Sequence, residues 1–532
     1  MNRDEKFIFS SSAKKKLFTT LGIGVLLFAI GVFMLATGGS HEEHGHQEPA
    51  REGFHAEPMH ANTGDSVTEY NAQTEHVVGV EATNEMEKAA VDTAAMNESS
   101  EHAILEDTLA AHGTVAHTEG REDSTYASEQ VSEAAAHATA EAKTNDHHDE
   151  HAHAEAHEGG HHEAHWSLRI IKDLWLNNVF FAGIALIGVF FMAFNYVAWA
   201  GWSAGIKRIP EAFGAYLPVA AVLTILLIVF FHHDLFHWTH ADLYDKSSPH
   251  YDSILDGKKG YLNFTFFLIR AVVYFAIWIS LWKTLRNFSI QQDLTGDLKY
   301  HFNSVVCSAV FIVAFGITES MAAWDWLMST DPHFFSTMFG WYAFASWFVS
   351  GLALITLIIV VLKENGYLSF INENHLHDLG KFVFAFTVFW TYVWFEQFLL
   401  IYYANIPEEV GYFVQRLKSN AYTPIFFLSL FINFFFPFLG LMTRAAKRQG
   451  AILKVVCVGV ICGHWLDFYM MVTPPILGQS GGLDLKFLFV EVGMAMIFAS
   501  VFLFTILTAL SKVGLVAKNH PMLEESEHHS VF

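Results

Sequence analysis

The hydrophobic pattern falls into ten long apolar stretches joined by short polar connections, interrupted once by a very long polar segment. A bilayer core of about 30 Å needs roughly 20 apolar residues per helix. The qualifying stretches cover approximately residues 17–37, 178–200, 212–231, 261–281, 302–323, 339–361, 382–402, 423–442, 452–471 and 487–510. The pattern therefore predicts an all-α, polytopic membrane protein with about ten transmembrane helices.

Four regions follow. Residues 1–39 form an N-terminal tail and first span, and residues 40–165 are the polar segment. Residues 166–512 form a nine-helix membrane domain, and residues 513–532 form a C-terminal tail. The first apolar run exceeds the ~7–15 residues of a signal-peptide core, so it reads as a retained span. Were it cleaved, the other nine spans would keep their orientation.

Basic residues set the sidedness. Lys14, Lys15 and Lys16 precede the first span, and alternate connections beyond it carry most of the remaining Lys and Arg. This predicts both termini in the cytoplasm.

Composition agrees: 52% of the 532 residues are hydrophobic and only 16% charged, against about 25% charged in soluble domains. The net charge of −23 belongs to one place. Residues 40–165 hold 28 Asp and Glu against four Lys and Arg, with 18 of the 31 histidines. The membrane part is close to neutral, and no basic surface suggests nucleic acid. The segment has too few large apolar residues to offset chain entropy, which predicts a disordered, solvated periplasmic tether. Its run of His147, His148, His151 and His153 offers weak transition-metal ligands. Cys307, Cys457 and Cys462 all sit in apolar stretches without CxxC or CxxCH spacing. The chain thus lacks the usual ligands for covalent haem or an iron–sulfur cluster.

Ionisable side chains within a bilayer are costly and mark functional candidates. Here they are Arg270, Glu319, Asp325, Glu396, His464, Asp467 and Glu491. Counted at ~1.5 Å per residue, nearly all fall between the midplane and the outer face, which predicts a polar site or proton exit opening outward. His464 and Asp467, three residues apart, share a helix face and suit either a proton relay or a packing contact. Arg270 needs an anion, and Glu319 or Glu396 lies at similar depth. His232, His233, His237 and His240, just past the third span, are solvated interfacial histidines or metal ligands.

Trp324-Asp325-Trp326-Leu327-Met328-Ser329, followed by Asp331-Pro332-His333-Phe334 and by Ser336-Thr337-Met338-Phe339-Gly340-Trp341-Tyr342, resembles the membrane subunits of bacterial alternative complex III. Trp394-Phe395-Glu396-Gln397 and the tail His520-Pro521-Met522-Leu523-Glu524-Glu525-Ser526 are similar too. The resemblance spans roughly residues 166–526. Of that complex's two related ten-helix subunits, ActC and ActF, both similar to the NrfD/polysulfide-reductase membrane family, the chain is more similar to ActF. The resemblance implies two four-helix bundles plus flanking helices. It implies a part in menaquinol oxidation, with electrons leaving through iron–sulfur and c-type cytochrome partners beside an ActC-like subunit. It adds His333 to the candidates for a quinone site or proton path. Menaquinol would be the one small molecule handled, with no cofactor bound covalently.

Three other classes compete. A haem-bearing core needs facing mid-membrane histidines, and only His464 is well placed. A metal transporter needs several ligands on neighbouring helices, and His464 with Asp467 is the sole close pair. A non-catalytic scaffold would use its buried charges for assembly alone.

Overall fold

The computed structural model describes residues 5–38, 166–482 and 485–530. The acidic segment lies outside the described residues, and with it His147, His148, His151 and His153.

Among the described residues ten helices are long and apolar enough to cross a membrane. They are α1 (Ser11–Gly38), α2 (Trp166–Val197), α3 (Leu217–Leu235), α4 (Phe264–Thr295), α5 (Lys299–Trp326), α6 (Met338–Glu364), α7 (Glu373–Ala404), α8 (Thr423–Gly440), α9 (Gly450–Leu477) and α10 (Leu485–Ser511). An isolated bridge between Lys6 and Gly514 is the sole β pairing among the described residues.

Local chemistry fixes the helix ends. The Asn263 side chain accepts the Phe266 N–H and starts α4, and Gly296 at φ 70° ends it in the left-handed conformation that glycine tolerates. Asn372 and His375 form a capping box at α7. Proline occupies the first turn of both α3 and α8.

The helices group into two four-membered rings. In the first, α2 and α4 each pack against α3 and α5; in the second, α6 and α8 each pack against α7 and α9. The rings join through α2 and α6, whose apolar windows are both 89% buried, against 11% for α1. Close approach at this seam needs glycine. A Cβ on Gly183 would lie 1.9 Å from Trp347 Nε1, and one on Gly351 would lie 2.4 Å from Ile187.

Outside the rings, α10 packs on α2, and α1 packs almost wholly on α10. Small residues let these backbones touch. A Cβ on Gly493 would come within 2.6 Å of the Phe28 amide nitrogen, and one on Gly24 within 3.0 Å of the Gly493 carbonyl oxygen. Backbone cannot yield as a flexible side chain can. Gly493→Leu should therefore destabilise the α1–α10 contact by about 1–3 kcal/mol. Disulfide trapping between cysteines placed on the two helices would read this as lost cross-linking.

Candidate functional site

Two ends of the bundle differ chemically: one carries the lysine-rich connections, the other does not. Buried ionisable side chains form three groups toward the lysine-poor end and one at the lysine-rich end.

The first group is built inside the second ring by α6, α7 and α9. Asp467, 2% exposed, receives the hydroxyls of Tyr342 and Ser346 (2.8 Å for the latter) and the indole N–H of Trp390 (2.9 Å). Ser346 Oγ is also 2.9 Å from His464 Nδ1, while His464 Nδ1 stands 3.9 Å from the Asp467 carboxylate. One hydroxyl proton cannot serve both neighbours. With the carboxylate ionised, Ser346 donates to Asp467 and accepts from a protonated His464 Nδ1, an assignment that follows from the network. His464 Nε2 then carries a free lone pair and has no partner among the described residues. The side chains thus form an ordered row: imidazole, hydroxyl, carboxylate.

The carboxylate end of that row borders a cavity of about 20 Å³, also lined by Tyr342, Trp394, Gln397, Tyr412 and Arg416. That volume holds about one water molecule. Arg416 comes from the short helix Pro407–Leu417, which lies between α7 and α8 at the lysine-poor end. Its placement follows from a proline. Pro474 in α9 has no N–H, so the Met470 carbonyl lacks its helical donor, and Arg416 Nε donates to it at 2.9 Å. The guanidinium also lies 3.4 Å from the Tyr412 ring centroid. Its Nη2, like Gln397 Nε2, finds no acceptor among the described residues. Helix α8 lends Phe426, Ser429 and Leu430 to the cavity wall and then makes a π-helical turn, Phe431–Phe435. That turn delivers Asn433 to the Gly463 carbonyl at 2.9 Å, one residue from His464. Such turns recur at functional sites.

The second group joins the first ring's α4 and α5. Arg270 binds Asp325 through Nε and Nη2, both at 2.8 Å, and Tyr274 donates to the same carboxylate at 3.0 Å. Arg270 does not pair with Glu319 or Glu396. Asp325, at the last turn of α5, is the nearer anion because α5 runs past the predicted end of its span. Beside the pair lies a cleft of about 260 Å³ lined by Lys258, Tyr261, Trp324, Met328 and Phe335 among others. Trp324 contributes an indole N–H that has no acceptor among the described residues.

The third group was hidden in what reads as a loop. Helix α2 begins at Trp166, twelve residues before the predicted span, and so carries Arg169, Lys172 and Asp173 into the protein. Lys172 lies 2.5 Å from Asp173 and 3.1 Å from Glu491 of α10, with no measurable exposure. Arg169 lies 4.0 Å from Glu491.

The remaining candidates stand apart. Glu319 is buried, with Ser320 at 3.4 Å and no Lys or Arg within ion-pair distance among the described residues. Glu396 is partly exposed and hydrogen-bonded to Tyr392, itself 58% exposed, on the outward face of α7. His333 lies 2.5 Å from Asp252 in the connections. Burial alone would raise the Asp252 carboxyl, but the hydrogen bonds from His333 and from the Leu255 and Ile254 amides outweigh it and hold it below the ordinary range. The His232–His240 rings cluster, with His233 and His240 centroids 4.9 Å apart. Among the described residues no three His, Cys, Asp or Glu side chains meet in a metal-binding arrangement.

Buried charge is not confined to the lysine-poor end, contrary to the expectation from depth. At the lysine-rich end Arg208 pairs with Glu211 (2.8 Å) and with Asp293, and Arg286 lies 3.9 Å from Glu211. The C-terminal tail folds against this end: Ser526 donates to the Trp202 carbonyl at 2.7 Å, and His529 lies 2.7 Å from Asp378. His520 packs its ring 5.0 Å from His301. Burial, reinforced by Lys207, His301 and Arg208, pushes the His520 pKa down to about 2. A released tail would bind that proton near the ordinary 6.5, so His520 supports docking fully above that pH and progressively less as pH falls toward 2. At about pH 5 the loss should reach ~2 kcal/mol. The protection factors for hydrogen exchange across residues 514–530, referred to the intrinsic rate at each pH, should therefore fall on acidification, and much less so in His520→Phe.

The fold and these sites define an all-helical, multi-pass integral membrane protein, with ten candidate spans set in lipid. No protein-family model matches the chain, and no curated protein is detectably similar to it in sequence.

Proposed function

We propose that this chain is an ActF-type membrane subunit of a quinol:electron-acceptor oxidoreductase resembling alternative complex III, and that its second ring conducts protons liberated by menaquinol oxidation. The observation that carries this reading is the row His464–Ser346–Asp467, which ends at a water-sized cavity beside Arg416. A proton taken up at His464 Nε2 displaces the one on Nδ1 to Ser346 Oγ, whose own proton passes to Asp467. From there the cavity water and the Arg416 end of the bundle give an exit toward the lysine-poor face. By the basic-residue pattern that face is the periplasmic one of a bacterial inner membrane.

Oxidising a quinol releases two electrons and two protons. This chain supplies the proton side, and iron–sulfur and c-type cytochrome partners take the electrons. The 20 Å³ cavity is too small for a quinol head group. The 260 Å³ cleft beside Arg270 and Asp325 has room for a ring, with Lys258 and the free Trp324 N–H as donors to a quinol oxygen. Whether the quinol docks here or on an ActC-like neighbour is decided by labelling.

The test is purification of the affinity-tagged chain from its own membranes. Co-purifying iron–sulfur and c-type cytochrome subunits, with menaquinol oxidation that acidifies the outer medium, are expected. A photoreactive menaquinone should label residues 257–262 or 324–335 if the cleft is used. Isolation without any redox partner, or metal uptake by the chain alone in vesicles, would overturn the reading in favour of a scaffold or a transporter.

A further inference from the structure

A groove of about 590 Å³ lies away from the ionisable clusters, at the lysine-rich end between α1, α6 and α10. Its size falls within the ~300–1,000 Å³ typical of small-molecule sites. Its origin is visible in the packing. The glycine contacts that hold α1 lie farther along, at Gly24, Gly31 and Gly493. Nearer the lysine-rich end the extended residues before α1 swing across to the far end of α6, where Phe7 meets Tyr367 at 5.6 Å and Glu5 accepts the Leu368 N–H at 3.0 Å. The chain thus roofs a gap that α1 leaves unfilled.

The groove is chemically graded. Its floor is aliphatic, formed by Leu354, Leu357, Ile358 and Val361 of α6 with Leu503 and Leu507 of α10. Along α6 this floor extends about 10 Å. Its mouth carries Lys16, Ser10 and Ser12, with Lys14 and Lys15 adjacent and exposed. No Asp or Glu lines it among the described residues.

We propose that this groove binds a phospholipid with an anionic head group, its acyl chain lying on α6 and its phosphate held by Lys16 and the two serines. An apolar channel opening into lipid cannot stay empty without losing dispersion contacts along its walls, and water in it would find no polar partners along the floor. An acyl chain satisfies the floor, and the uncompensated lysines select the head group, each contributing about fivefold in preference for a negative surface. A neutral lipid would leave the lysines unpaired, and a polypeptide helix is too wide for a gap already bounded by three helices. The site is independent of the proton-transfer reading and stands if that reading fails.

The experiment uses the full chain in its native complex, placed in nanodiscs of phosphatidylcholine doped with a phosphatidylglycerol that carries a diazirine on its acyl chain. Irradiation should label peptides covering Leu354–Val361 or Leu503–Leu507. Unlabelled phosphatidylglycerol should compete at least about fivefold better than phosphatidylcholine. In Lys16→Gln that preference should fall about fivefold while labelling persists; in Leu357→Trp, which fills the floor, labelling should be lost. Equal competition by the two lipids in the parent protein would overturn the proposal, as would labelling confined to other helices. A co-purifying polypeptide cross-linked to the same peptides would also overturn it. The competition and mapping arms need no variant, so a misfolded Leu357→Trp leaves the outcome decided.

Discussion

Asp467→Asn is expected to slow proton-coupled quinol turnover by about 10²–10⁴-fold, the range for loss of a positioned acid–base group, in a complex that still assembles. The carboxylate is the acceptor for three donors from two other helices, Tyr342, Ser346 and Trp390. An amide can accept from them only through its oxygen, and its NH₂ has no acceptor in the Trp390 indole and is met by the two hydroxyls only if they turn to accept. It also cannot take a proton from Ser346. Ser346→Ala interrupts the row while sparing its two ends, so a smaller loss is expected there, repairable only if a water replaces the hydroxyl. Glu396→Gln should be nearly silent, because that side chain sits with Tyr392 on the outward face of α7. The measurement is menaquinol-driven reduction of the acceptor alongside proton release in the same vesicles. Normal rates and normal proton stoichiometry in assembled Asp467→Asn would end the case for a relay.

Arg270→Ala is expected to have the largest effect on stability, about 3–5 kcal/mol. It leaves Asp325 buried with only tyrosine hydroxyls for company. Asp325→Ala should cost a comparable amount by stranding Arg270. Removing both, as Arg270→Met with Asp325→Leu, should recover much of the loss, since replacing a buried ion pair by well-packed apolar groups is often neutral. Thermal unfolding in detergent, completed as a double-mutant cycle, gives the coupling. A double variant no better than either single one would mean that the pair contributes specificity beyond its mutual attraction.

Ten spans and their order were legible because lipid demands long apolar runs and helices that satisfy their own backbone. Helix ends were less so. Hydropathy marks where a helix meets lipid, not where it stops, and α2 shows the difference. Its first turns are polar yet buried against α9 and α10, so Lys172 and Asp173 looked like loop residues. Arg208 and Arg286 likewise fall in basic connections between the predicted spans, where nothing marks them as buried, because Asp293 for Arg208 and Glu211 for Arg286 come from distant parts of the chain.

The pairing of His464 with Asp467 was readable from helical spacing alone. Ser346, which stands between them, was not, since a serine in an apolar helix carries no signal of what it faces. Arg416 falls between the predicted seventh and eighth spans, where nothing marks it as buried. The available hint was Pro474, whose missing N–H creates an acceptor. Arg270 had a partner predicted by depth, yet depth leaves several carboxylates equally eligible and cannot say which helix is adjacent.

The contact between α1 and α10 has a consequence for how the protein is made. Of the ten spans among the described residues, α1 is made before the other nine yet docks chiefly on α10, made after them, and the strand-like pairing of Lys6 with Gly514 closes the same circuit. During synthesis α1 must therefore wait in the bilayer with its glycine face unpaired while eight other helices are inserted. Chains that stall or terminate before α10 would leave that face open to any neighbouring helix with small residues, making the last span a natural checkpoint for quality control.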